Sequence, residues 1–364
     1  MSLKTVVLDF ETYYSDEYSL SKMSIEEYVR DPRFQIIGLG LAWGKTRRWL
    51  TGTHEQLRTS LASAGWDKTD MVAHNTPFDG FILENVLGIS PALYGDTLSM
   101  ARPVHGVGMS LSLKKLALHY GIGEKGTEVI TAKGKRREDF TPEDLAQYGQ
   151  YCINDCVLTG KLFHRLLPNF TETELRVIDM TVKMAVRPRL QVNVPLLETA
   201  LEDLKAQQAK DLLEIATVMG VKGLDDEERI DSARKILGSG PKFAAFLESR
   251  GVEVPMKPSP RNPEKLTFAF AKTDQGLLAL RDDPDPLVVS AVEQRMAVKS
   301  SIRATRMATF INVGRRGLIP WPLRYAGAHT NRWSGDWGWN MQNPPKHRDA
   351  KNGIREPLRD CLEA

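Results

Sequence analysis

The sequence predicts an α/β domain followed by a mainly α-helical one, and three observations carry that prediction. Short apolar, β-branched runs alternate with helical patterns up to about residue 170 and nearly vanish beyond it. The 364 residues suffice for two cores, since domains run roughly 100 to 200 residues. Hydrophobic residues make up 41% of the chain and charged residues 26%, as in ordinary globular proteins.

In chain order, "TVVLDF" (5–10) and "IIGLGLAW" (36–43) are bounded by polar residues or glycine and read as buried strands. Helical patterns follow at 54–64, 78–87, 112–120 and 142–166. The polar, basic stretch 129–141 reads as an exposed loop, and Thr141-Pro142-Glu143 caps the helix after it. In the second half, helices are expected at 172–187, 195–219, 241–250 and 286–310. The Pro-rich "VPMKPSPRNPEK" (254–265) breaks them with an exposed loop that leads into the strand-like "LTFAFAK".

Composition excludes several classes. No apolar run approaches the roughly 18 residues that a membrane span needs, and the N-terminus lacks the long apolar core of a signal peptide. A cytosolic setting is therefore expected. The net charge of +3 neither requires nor excludes a nucleic-acid partner, so local clustering must decide. Cys152, Cys156 and Cys361 are the only cysteines; an odd number, two of them one helical turn apart, argues for reduced core side chains rather than disulfides or zinc.

The acidic residues form an ordered set. Asp9 and Glu11 end the first strand, and the strand's period of two puts both carboxylates on one face. In "MVAHNTPFDGFIL" a short apolar run delivers His74 and Asn75 to a helix start, with Asp79 in its first turn. In "LAQYGQYCINDCVLTGKLF" Tyr151 and Asp155 stack four apart beside the apolar stripe Leu145, Tyr148, Cys152 and Cys156. Each has an ordinary structural reading: a solvated turn, a helix-favouring acid, a structural histidine, a half-solvated aspartate. Asp96 in "GDTLSMARPV" reads as a helix cap. Farther on, Arg295, Lys299, Arg303 and Arg306 recur at helical spacing with Ser300 and Ser301 beside them. Such a stripe is either a solvated face or a grip on phosphates.

The ordered set D-x-E, then H-N-x-x-x-D, then Y-x-x-x-D resembles the tyrosine form of the DEDD exonucleases, found in the proofreading domains of DNA polymerases. The resemblance spans about residues 4 to 168 and implies an α/β RNase H-like, DnaQ-type domain with a mixed sheet. It further implies that Asp9, Glu11, Asp79 and Asp155 hold two divalent ions, Mg²⁺ or Mn²⁺, with Asp9 bridging, and that Tyr151 orients or helps deprotonate the attacking water. His74 and Asn75 would shape the pocket of the terminal nucleotide.

"EQRMAVKSSIRATR" followed by "YAGAHTNRWSGDWGWNMQNPP" is similar to the thumb and early palm of family A DNA polymerases, bacteriophage members above all, where this loop lies along the primer–template duplex. Thr330, Arg332, Ser334, Asn340, Gln342 and Asn343 take the matching positions, with Asn331 where that family usually has glycine. Arg332, Gln342 and Asn343 would face the duplex while the tryptophans brace the loop; Arg295, Lys299, Ser300 and Arg303 would contact the backbone. The implied organisation is an exonuclease domain at 1–170, a helical thumb-like region at 171–318 and the beginning of a palm at 319–364. The family's palm and fingers motifs are missing from these 364 residues. The expectation is therefore a truncated polymerase, a split polymerase whose palm and fingers form a separate chain, or an exonuclease that retains the duplex-binding part. In each case the expected partner is DNA, as a single-stranded 3' end and a primer–template duplex, in a bacterial host cytoplasm if phage-encoded.

Overall fold

The computed structural model describes residues 4–106, 108–125, 132–223, 225–260, 262–298, 302–342 and 357–363. They form two compact units. The first comprises Met1–Val192, Val313–Lys346 and Leu362–Ala364, and the second Asn193–Asn312 with His347–Cys361.

The first unit is built on five strands: β1 (Lys4–Thr12), β2 (Ile36–Trp43), β3 (Thr46–Leu50), β4 (Thr69–Ala73) and β5 (Leu93–Asp96). Their order is β3-β2-β1-β4-β5. β1 pairs antiparallel with β2, and β2 with β3, while β1, β4 and β5 run parallel. This is the mixed sheet expected of an RNase H-like domain. Alternation along β1 sends Val6, Leu8 and Phe10 into a large core with Leu39, Leu41 and Met71. Val7 faces the other way, into a cluster with Val72 and Cys156.

The helices of this unit are α1 (Ile25–Arg30), α2 (His54–Ala62), α3 (Thr76–Asn85), α4 (Thr97–His105), α5 (Leu113–Tyr120), α6 (Pro142–Leu166) and α7 (Glu172–Val186). α6 begins as its sequence requires: the Thr141 side chain accepts from the Asp144 amide, Asp144 answers in a capping box, and Pro142 occupies the first turn. It then lies close on the sheet at Gly40, where a Cβ would stand 2.7 Å from Cys152 Sγ and 3.0 Å from Cys156 Sγ.

α7 packs within this unit, which runs to Val192. Val182, Ala185 and Val186 are buried in the core of the sheet, and the Tyr94 amide donates to Asp179 Oδ1 at 2.8 Å. The segment expected to open a palm also folds here. Leu323–Arg324 and Ser334–Gly335 pair as a small hairpin, and the Trp337 ring meets Phe81 edge-on at 5.7 Å.

The second unit is mainly helical, with α8 (Val194–Val218), α9 (Asp226–Gly238), α10 (Gly240–Ser249), α11 (Gln275–Ala279) and α12 (Pro286–Val298) around a core that includes Leu212, Leu237, Phe243 and Val292. α13 (Ile302–Arg316) follows, so the described part of the expected 286–310 helix comprises two helices. The Pro-rich stretch is a two-stranded ribbon, Met256–Ser259 with Asn262–Phe268, irregular beside Pro258. Proline is tolerated in such an edge strand because its missing N–H need not enter a ladder.

Candidate active site

The acids meet where β1 ends, under α6. Asp9 and Glu11 lie on the face of β1 opposite Leu8 and Phe10, both half-buried. Ligand atoms of Asp9, Glu11 and Cys152 lie within 4.8 Å of one another, the only such group among the described residues. Asp79 and Asp155 stand around it, nearly fully buried at 2% and 4% exposure. The four carboxylates are linked through Asp9 and Glu11: Asp155 acts on both, and both act on Asp79.

Local structure fixes each acid. The Phe10 amide donates to Asp79 Oδ1 at 2.9 Å, tying the first turn of α3 to β1. The Tyr148 hydroxyl donates to Glu11 Oε2 at 2.6 Å. The Cys152 thiol donates to the Asp9 carbonyl at 3.2 Å and lies 3.5 Å from Asp9 Oδ2. Lys125 Nζ pairs with Asp155 Oδ2 at 2.5 Å and sits 5.1 Å from the centre of the Tyr151 ring. Tyr148 and Tyr151 project from α6 beside Phe140 and Ala132.

The electrostatics follow from crowding. Burial, then the Asp155 charge, pushes Asp9 up to about 7. Burial, then Asp9, pushes Glu11 up to about 8, with the Tyr148 hydrogen bond working against the rise. Burial and Asp9 raise Asp79 well above the carboxylate range; burial also raises Asp155, against the pull of Lys125. Mutual repulsion of this kind marks a site that a cation would complete.

A hard divalent cation fits the residues present. The donors are carboxylate oxygens, the ligands Mg²⁺ and Mn²⁺ prefer. Asp155 Oδ1 is buried without a hydrogen-bond partner among the described residues, and such an orphaned acceptor needs a ligand. Cys152 fits less well, because burial raises its thiol well above the ordinary range and keeps it protonated.

The remaining expected residues divide. His74 Nε2 lies 3.1 Å from the Leu111 carbonyl, which can only accept, so Nε2 carries the proton and Nδ1 accepts from Thr97 Oγ1 at 2.9 Å. Burial lowers its pKa, and the ring braces α4 to the end of β4. Asn75 takes the left-handed conformation, φ 74°, and its amide donates to Asp96 Oδ1. Asp96 caps α4, accepting from the Leu98 and Ser99 amides.

Arg295 is a correction to the expected phosphate-gripping stripe. It is 4% exposed, its guanidinium lies 4.6 Å and 4.7 Å from the Phe243 and Phe270 ring centres, and Nη1 donates to the Leu237 carbonyl. The helical spacing correctly placed it on one face of α12, but that face is turned into the second unit's core. Arg303 and Arg306 are half-buried on α13; Lys299, Ser300 and Asn343 lie outside the described residues.

Thr330 and Arg332 in the hairpin loop are exposed, as is Gln342 beyond the hairpin, and Arg332 Nε donates to Thr330 Oγ1 at 3.1 Å. Asn331 holds φ 56°, a conformation that glycine favours and asparagine tolerates. The tryptophans brace the loop: Trp333 Nε1 donates to Thr181 Oγ1, and Trp339, 6% exposed, meets Trp337 edge-on.

Sequence reasoning missed two functional candidates. Tyr148 reads in sequence as part of an apolar stripe, yet a tyrosine three residues before Tyr151 shares its helix face and carries a donor. Lys125 had no motif to mark it.

A mixed five-stranded sheet with clustered carboxylates at the end of its central strand defines a nuclease-type α/β domain. Residues 6–170 match the family model described as 3'-5' exonuclease, of the DNA polymerase A type, which marks that stretch of the chain as a domain of this kind. Among solved structures, the chain is similar to the POL domain of Pol1 from M. smegmatis in complex with DNA primer-template and dNTP, with a TM-score of 0.61 and 16% identity. That match covers 99% of this chain and 55% of the Pol1 chain, so the chain spans about half of its length. The likeness is one of fold. No curated protein matches the chain, and no described helix is long and apolar enough to cross a membrane.

Proposed function

We propose that the chain is a metal-dependent proofreading nuclease that removes nucleotides one at a time from the 3' end of DNA, within a family A polymerase. The observation that carries this reading is the set of four mutually repelling carboxylates on β1, α3 and α6, with Tyr151 beside them on α6. Asp9, Glu11, Asp79 and Asp155 would hold two divalent ions, Mg²⁺ or Mn²⁺. Bound there, such ions make a water acidic and stabilise the leaving alkoxide of a phosphodiester.

The chain's own residues do the rest. Tyr148 and the Phe10 amide fix carboxylate oxygens of Glu11 and Asp79, and the Cys152 thiol holds the Asp9 backbone carbonyl 3.2 Å away with Asp9 Oδ2 at 3.5 Å, so these acids are positioned before ligands arrive. Burial keeps the Tyr151 hydroxyl protonated, with its pKa above the ordinary value. In that form it can accept from the attacking water and orient it, or donate to a phosphate oxygen. Asn75 and His74 shape the floor for the terminal nucleotide. Arg332, exposed on the hairpin loop, and Gln342, exposed beyond it, supply sequence-independent contact to the duplex. Nucleotidyl transfer would require palm and fingers residues, in the same or a separate polypeptide.

The test is hydrolysis of single-stranded DNA with Mg²⁺ or Mn²⁺ by the wild-type chain and an Asp9→Ala/Glu11→Ala variant. The expected result is shortening by the wild type and a loss of at least about a thousandfold in the variant, the order set by removing a metal-held nucleophile. Equal rates would refute the reading.

A further inference from the structure

We propose that Lys125 is a built-in counter-cation of the acidic cluster, which holds Asp155 in the metal-free protein and must release it when a divalent ion binds. This rests on the reading of the acids as a metal-binding nuclease centre.

The geometry is specific. Lys125 Nζ lies 2.5 Å from Asp155 Oδ2, while Asp155 Oδ1 is buried without a hydrogen-bond partner among the described residues. One ammonium thus occupies half of a carboxylate that a metal ion would engage. Lys125 also lowers the pKa of Asp9 and of Glu11, so its charge reaches the centre of the cluster.

The backbone that carries it is fastened to α6. Lys161 Nζ donates to the Ile122 carbonyl at 2.8 Å, and Asn154 Nδ2 to the Glu124 carbonyl at 3.2 Å. Gly123 takes φ 140°, and a Cβ there would stand 2.9 Å from Leu158 Cδ2. Tyr151, Asn154, Asp155, Leu158 and Lys161 follow one another at helical spacing on one face of α6, so residues 122–125 run along that face. What remains free to move is the four-carbon stem of Lys125, whose side chain is 28% exposed. A lysine suits this role, because its ammonium is a point charge without the bidentate fork by which arginine locks to a carboxylate.

The consequence is competition. In the metal-free protein the ammonium partly neutralises the acids; an arriving cation must displace it from Asp155, which weakens metal binding and stabilises the empty site.

The experiment measures Mn²⁺ affinity by calorimetry on the full chain, together with thermal melting before and after Mn²⁺ addition, for the wild type, Lys125→Met, Lys125→Arg and Asp9→Ala/Glu11→Ala. Lys125→Met should bind Mn²⁺ about tenfold more tightly, equivalent to about 1.4 kcal/mol. It should also melt lower than wild type without metal and regain wild-type melting at saturating Mn²⁺, which shows that its fold is intact. Lys125→Arg should bind Mn²⁺ no more tightly than wild type. Equal or weaker binding by Lys125→Met, with Mn²⁺ still binding the wild type and not the double-alanine variant, would overturn the Lys125 inference alone. Mn²⁺ binding that does not distinguish the wild type from the double-alanine variant would overturn the nuclease reading and this inference with it.

Discussion

Replacing Tyr148 by phenylalanine removes one oxygen and leaves the ring to pack against Phe140 at 5.7 Å and Trp49 at 6.2 Å. The lost group is the donor to Glu11 Oε2 at 2.6 Å. Glu11 already stands at about 8 because of burial and then Asp9, with the Tyr148 hydrogen bond opposing the rise. A hydrogen bond to a charged group is worth about 1.5–3 kcal/mol, and about 1.36 kcal/mol moves a pKa by one unit. Without it, Glu11 should rise by about 1 to 2 units. Glu11 must be ionised to hold a cation, so the rising limb of the nuclease pH profile should move to higher pH by that amount. At about neutral pH the rate should fall about 10- to 100-fold, and it should recover to within a few-fold on the alkaline plateau. The assay is hydrolysis of single-stranded DNA across the profile at fixed Mg²⁺. A superimposable profile, or an equal loss at every pH, would refute the claim that Tyr148 acts through the charge of Glu11.

Three further outcomes follow from the same structure. Because Asp9 rises from 3.8 to about 7 and Glu11 from 4.5 to about 8, the metal-free folded protein keeps protons that the unfolded chain has already lost. Stability without metal should therefore fall as pH rises between about 4 and 8, and Asp9→Asn should flatten that slope in thermal melts. Gly40→Ala would press a Cβ onto the Cys152 and Cys156 sulfurs and lift α6 from the sheet. It should cost about 1–3 kcal/mol of stability and reduce nuclease activity more than the melting shift explains, as measured on folded protein. Arg295→Ala should destabilise the chain by about 2–4 kcal/mol in denaturant titration, through the cavity between Phe243 and Phe270 and the unpaired Leu237 carbonyl. Duplex affinity of the folded fraction should stay unchanged; a selective loss of binding would return Arg295 to the DNA-facing surface.

The first domain was legible because its signals are local and periodic. Asp9 and Glu11 share a face through the strand's period of two, Thr141 and Pro142 announce α6, and Asp96 caps α4 as its position beside Thr97 suggests. What the sequence hid depends on long-range packing. The 171–192 segment carries ordinary amphipathic spacing, and nothing in it says that Val182 and Val186 are buried against this sheet rather than in the helical unit. α9 has a weak sequence signal because its first turn is charged and its apolar residues are confined to Ile230, Ala233, Ile236 and Leu237, with only Ala233 and Leu237 fully buried. Arg295 shows the limit of charge patterning: spacing places a residue on a helix face but does not say whether solvent or two phenylalanine rings lie opposite. Lys125 is set by tertiary contacts from Asn154 and Lys161, which no local pattern encodes.

The central claim is tested most directly by following a 5'-labelled single strand of DNA incubated with the chain and Mn²⁺. Stepwise shortening from the 3' end with release of mononucleotides, abolished in Asp9→Ala/Glu11→Ala, is the predicted result. Internal cuts, removal from the 5' end, or an identical product ladder from the double variant would contradict it.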